Sequence, residues 1–113
     1  MSGMSEFVPS ADHVEVRVTC GSADLADAIA ERLVAERLAA CVHRFPIRST
    51  YRWQGVVERD EEIVLAAITT RRRAPAVAAA VRELHDDDVP GITCVDLVAG
   101  TTDYLAWVDA ETS

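Results

Sequence analysis

The chain is poor in aromatic side chains: Phe, Trp and Tyr together supply six of its 113 residues. Val, Ala, Leu and Ile must therefore fill most of any core. No apolar run reaches membrane-spanning length. The first twelve residues lack the basic start and apolar stretch of a signal peptide, and Met1 to Asp12 is read as a disordered leader. Basic residues are in deficit, eleven against nineteen acidic ones, for a net charge of -8. That balance argues against a nucleic-acid partner, because phosphate neutralisation needs clustered Lys and Arg. It equally disfavours an anionic membrane surface. Cysteines are few and odd in number, and Cys20, Cys41 and Cys94 stand far apart. They form no disulfide framework, and their apolar neighbours favour core packing. A reducing cytoplasmic compartment is expected. Gly-rich phosphate loops, metal-hydrolase helices and nucleophile motifs are missing. No enzyme activity and no organic cofactor are expected. Neither repeats nor linkers divide the chain, so residues 13–113 are expected to form one domain.

What is present is a clear alternation of element types. Val14, Val16, Val18 and Cys20 share one face of a strand, with Glu15, Arg17 and Thr19 on the other. Gly21-Ser22 breaks it, and Ser22 is a natural N-cap for a helix over Ala23–Leu38. A second strand spans Val42–Trp53, where Pro46 points to an edge position. Gln54-Gly55 forms a turn into a third strand over Val57–Thr69. That strand is apolar on both faces, through Ile63, Leu65 and Ala67 and through Val64, Ala66 and Ile68. Such a strand is normally buried on both sides. Arg71 to Arg73 form a solvated turn into a helix that Pro75 starts and His85 ends. A fourth strand, Ile92–Ala99, and a short helix, Thr101–Val108, complete the order.

This βαββαβ order predicts an α+β ferredoxin-like sandwich with a long β-hairpin and a C-terminal helix. Both long helices would cover one sheet face. The apolar residues on the other face then call for further chains, and an oligomer is expected.

At this point the residues resemble those of the CutA divalent-cation tolerance family. The resemblance rests on Leu38-Ala39-Ala40-Cys41, Tyr51-Arg52-Trp53-Gln54-Gly55, Glu58, Glu62, Thr69-Thr70 and Gly100 to Trp107. It implies a cytoplasmic homotrimer that binds copper or another divalent metal ion and takes part in the response to metal ions, without established catalysis. The chain departs from the family pattern in the segment His85 to Gly91, where Asp86, Asp87 and Gly91 replace Pro, Tyr and Glu. Ile68 likewise replaces a frequent Lys.

The reversal of the strands brings Cys20 and His85 to one end of the domain, beside the hairpin. A thiol and an imidazole suit copper or zinc, and both residues are candidate metal ligands. Cys20 precedes a helix N-terminus, a position that favours thiolate. It also shares a face with three valines, so a core role stands beside the ligand role. Asp86 to Asp88 could add oxygen donors or form a solvated loop. Tyr51 and Trp53 are read as interface packing first and ligand stacking second, while His13 and His43 are taken as incidental. Two other functions fit the same fold: a small-molecule-binding signalling trimer of the nitrogen-regulator kind, and a structural trimer anchoring a partner protein.

Overall fold

The computed structural model describes residues 6–113. Strand β1 (Phe7–Pro9) and strand β2 (His13–Cys20) come first. Helix α1 (Ala23–Ala35) leads into β3 (Cys41–Trp53) and β4 (Val56–Thr70). Helix α2 (Ala74–Leu84), β5 (Ile92–Asp96), β6 (Ala99–Thr101) and α3 (Thr102–Glu111) complete the chain. Four strands form an antiparallel sheet in the order β3-β4-β2-β5, and β1 pairs with β6 in a separate ribbon. This is the α+β sandwich expected from the element order.

The register explains the core. Val14, Val16, Val18 and Cys20 point to one face, where Leu65 and Ala67 of β4 join them. Ile29 and Leu33 of α1 and Val77 and Val81 of α2 close that face, and all four are fully buried. The Ser22 hydroxyl caps α1 by accepting from the Leu25 N–H at 3.2 Å. The helix ends at Ala35, earlier than the apolar spacing predicts. Arg37 adopts a left-handed φ of 59°. The N–H groups of Arg37 and Leu38 then return to the carbonyls of Val34 and Leu33. That pair of bonds is a Schellman closure, so Leu38-Ala39-Ala40 forms a buried connection rather than a last helical turn.

Two further expectations are corrected. Of the leader, residues 1–5 lie outside the described residues, but Phe7–Pro9 is not disordered. It pairs with Ala99–Thr101, where backbone bonds compensate for a short apolar content. Consequently the fourth strand divides at Leu97-Val98, with β5 on the main sheet and β6 on the ribbon. The triple arginine is also more than a solvated turn. Arg71 pairs with Asp96 at 2.6 Å, and Arg73 Nε donates to the Thr112 carbonyl at 2.8 Å.

The opposite sheet face is partly covered by the chain itself. Val108 of α3 packs on Ile68 and Ala40. Pro46 sits in β3, which is an outer strand as the sequence predicts. Beyond Cys20 the β3–β4 ladder continues alone to a turn at Gln54 (φ 49°) and Gly55 (φ 83°). Consecutive positive φ values mark the mirror-image turn that suits two-residue hairpins. The hairpin makes the molecule long, 56 Å by 25 Å by 21 Å.

Candidate functional site

The end of the sandwich beyond Cys20 gathers the chemically capable side chains. Helix α2 stops at His85, whose backbone turns to extended values while its N–H still bonds the Val81 carbonyl at 2.8 Å. The ring is thereby swung under the loop, and its side chain is only 1% exposed. His85 Nε2 lies 2.7 Å from the carbonyl oxygen of Thr19. A carbonyl only accepts, so Nε2 carries the proton and Nδ1 keeps its lone pair. That lone pair accepts the Asp87 N–H at 3.1 Å. Asp86 Oδ1 lies 3.7 Å and Asp87 Oδ2 4.0 Å from Nδ1. His85, Asp86 and Asp87 thus offer one nitrogen and two oxygens within 4.8 Å of one another. The loop can approach the sheet this closely because residue 91 is glycine. A Cβ there would meet Thr19 Oγ1 at 2.8 Å.

The structure brings Cys20 to the same end, since its neighbour Thr19 holds His85. It does not give Cys20 the expected thiolate character. The thiol is fully buried and pushed up to about 11, first by burial and then by the charges of Asp86, Glu62 and Asp87. Desolvation and three nearby carboxylates outweigh the helix end. Cys20 therefore lies in the core behind the loop, close to the acids but absent from the His85, Asp86, Asp87 group.

In front of the loop is a cleft of about 740 Å³, lined on one side by Asp86, Asp87 and Gly91 and on the other by Tyr51, Trp53 and Glu62. The hairpin supplies that second wall. Tyr51 donates its hydroxyl to Asp60, and this bond, with burial and the charges of Glu58 and Glu62, pushes the phenol up to about 12. Acidic side chains outnumber the single base of the cleft's lining, Arg48, and with the aromatic walls the cleft is suited to cations.

Sequence reasoning missed two histidine roles. His13 is buried rather than incidental. Its Nε2 meets Asp109 Oδ1 at 2.8 Å and its Nδ1 meets Ser10 Oγ at 2.5 Å, which ties β2 to α3 and to the connection after β1. His43 lies beside Cys41, with Nε2 3.7 Å from Sγ. Cys94 is exposed on the outer strand β5 rather than packed. The signal for His13 was faint, because its role depends on α3 folding back over the sheet.

Comparison with known proteins places this geometry in context. The model of the CutA1 divalent ion tolerance protein family matches residues 14–111. A divalent-cation tolerance protein CutA of Thermus thermophilus is 41% identical over 98 residues, covering 86% of this chain and 95% of that protein. The structure of CutA from Synechococcus elongatus PCC7942 superposes with a TM-score of 0.94 at 28% identity, covering 99% of this chain and all of that one. An Archaeoglobus fulgidus structure named as a periplasmic divalent cation tolerance protein superposes at 0.88 with 31% identity, covering 89% of this chain and 99% of that one.

Proposed function

The chain belongs to the CutA1 divalent ion tolerance family, and from that premise we propose that it is a homotrimer that binds divalent metal ions at the His85 end of the sandwich. The carrying observation is the orientation of His85. Its Nε2–H is committed to the Thr19 carbonyl, which aims the Nδ1 lone pair at Asp86 and Asp87. Metal-binding histidines are held in this way by a carbonyl or carboxylate on the other nitrogen. One imidazole and two carboxylates fit zinc or copper(II). His85 would bind through Nδ1 on release of the Asp87 N–H, with Asp86 and Asp87 as oxygen donors. Cys20 would join only by losing its proton, so its participation favours high pH. The role is binding rather than catalysis, in a reducing cytoplasm.

Trimer formation is supported by a row of half-exposed apolar side chains on the sheet face away from α1 and α2. Phe45, Tyr51 and Trp53 alternate along β3 and are each 41% or 42% exposed. A monomeric mass by light scattering would overturn this part. Calorimetric titration of zinc and copper(II) into wild type, His85→Ala and Cys20→Ala tests the site. His85→Ala is expected to lose at least about tenfold in affinity, the lower range of what supporting groups contribute. Equal affinities in the three proteins would refute it.

The cleft favours a second reading, a small-molecule-binding trimer, because Trp53 and Tyr51 face the acidic loop. A thermal-shift screen of amines and nucleotides tests it, since a ligand selective for the folded state raises the melting point. A flat screen removes this reading and leaves the metal reading untouched.

A further inference from the structure

A second group of metal-binding side chains stands on the other sheet face, remote from His85. Cys41 and His43 are two residues apart on β3, so both side chains point to one face. The Cys41 sulfur lies 3.7 Å from His43 Nε2. Helix α3 brings Tyr104 over the pair, its hydroxyl 3.5 Å from the same sulfur. Trp107 braces the Tyr104 ring, with centroids 5.7 Å apart. Within one chain Cys41 is half-buried and His43 is exposed, on the β3 face that also carries Phe45.

The distance has a chemical meaning. A tetrahedral zinc ion takes thiolate sulfur at about 2.3 Å and imidazole nitrogen at about 2.0–2.1 Å, which sets the two donors about 3.5 Å apart. The observed 3.7 Å meets that chelate without strand movement. The Tyr104 hydroxyl is within reach to donate to the Cys41 sulfur, which steadies the thiolate when its proton leaves. Cys41 faces Ile68 across the ladder, while Cys20 faces Ile63 five residues away along β4. At about 3.3 Å per residue that is about 17 Å, too far for one ion to engage both ends.

We propose that Cys41 and His43, with Tyr104 as hydrogen-bond donor to the sulfur, form an exchangeable site for a thiophilic d10 cation such as zinc, cadmium or copper(I). On binding, the Cys41 thiol releases its proton to solvent, His43 gives its Nε2 lone pair, and water fills the remaining positions. The two sites then divide metals by softness: carboxylate and imidazole at His85, sulfur and imidazole at Cys41.

Cadmium is the probe, titrated into the reduced native assembly while thiolate-to-cadmium ultraviolet absorption is followed. Cys94→Ser is the host, because Cys94 is exposed. The host is expected to give a saturating band that Cys41→Ser removes and His85→Ala leaves in place. His43→Ala is expected to weaken binding by more than about tenfold, the least that even an outer partner usually contributes. Tyr104→Phe is expected to weaken it by less. Survival of the band at unchanged affinity in Cys41→Ser overturns the assignment. So does unchanged affinity in His43→Ala, which would make Cys41 an ordinary thiol. Melting curves without metal check each fold, and the exposed His43 keeps the test decisive where Cys41→Ser fails to fold.

Discussion

The two faces of the four-stranded sheet solve the same problem differently. One face is closed by α1 and α2 and consists almost wholly of aliphatic side chains. The other is covered in part by α3 and carries Cys41, His43, Glu15 and Arg17 among its apolar residues. The closed face is spent on stability, and the half-covered face keeps groups that can meet ions or other chains. The difference arises from a single strand: β4 is apolar in both directions, and only the order of the helices decides which direction the chain seals.

The comparison is broken most severely by removing volume from the closed face. Leu65 is 1% exposed, and Leu65→Ala is expected to cost about 2–5 kcal/mol in chemical denaturation. Phe45→Ala on the other face is expected to change subunit stability little while loosening the proposed trimer, as read by light scattering at falling concentration.

A second contrast concerns pH. Cys20 on the closed face has its thiol raised from 9.0 to about 11 by burial and neighbouring acids. Its neutral form is the one favoured by folding. The contribution is therefore complete below pH 9 and is lost as pH rises towards 11. Cys20→Ala is expected to flatten the fall of melting temperature across that window. An equally steep fall in the variant would refute the burial argument.

The tie between the faces comes next. His13→Ala removes the bonds to Asp109 and Ser10 and is expected to cost about 1–3 kcal/mol, the net worth of two hydrogen bonds at about 0.5–1.5 kcal/mol each. Hydrogen exchange should rise first in α3. The smallest effect is expected at Arg44, which pairs with Asp27 on the surface of the closed side. Arg44→Ala should shift stability by no more than about 1 kcal/mol, the usual worth of an exposed ion pair, and the shift should shrink with added salt.

Much of this architecture is legible in the residues. Period-two alternation in β2, the Ser22 cap, Pro46 on an outer strand and the two-faced β4 are local patterns, and each appears in the fold as read. The convergence of Cys20 and His85 follows from counting strand reversals. The misreadings are mostly tertiary. The helix boundary at Ala35 was hidden because Leu38 continues the apolar spacing, while the Schellman closure at Arg37 uses a residue that rarely adopts positive φ. The protonated state of Cys20 depends first on burial and then on acids from β4 and the α2–β5 loop, neither of which the helix-end argument included. The role of His13 requires α3 to return across the sheet, and nothing within its own segment signals that, whereas the pairing of His43 with Cys41 follows from their spacing on one strand.

The outer flank of β3 has one more consequence. From Cys41 to Trp53 this strand is paired on one side only, so its free backbone groups form a long row open to any passing strand. Pro46 interrupts the row by removing a donor, and Arg44, Arg48 and Arg52 set positive charge along it. These are the usual deterrents to fibril growth. The hairpin can thus protrude while indiscriminate stacking is discouraged by one missing N–H and by charged side chains, of which Arg44 and Arg48 are held in ion pairs with Asp27 and Glu61.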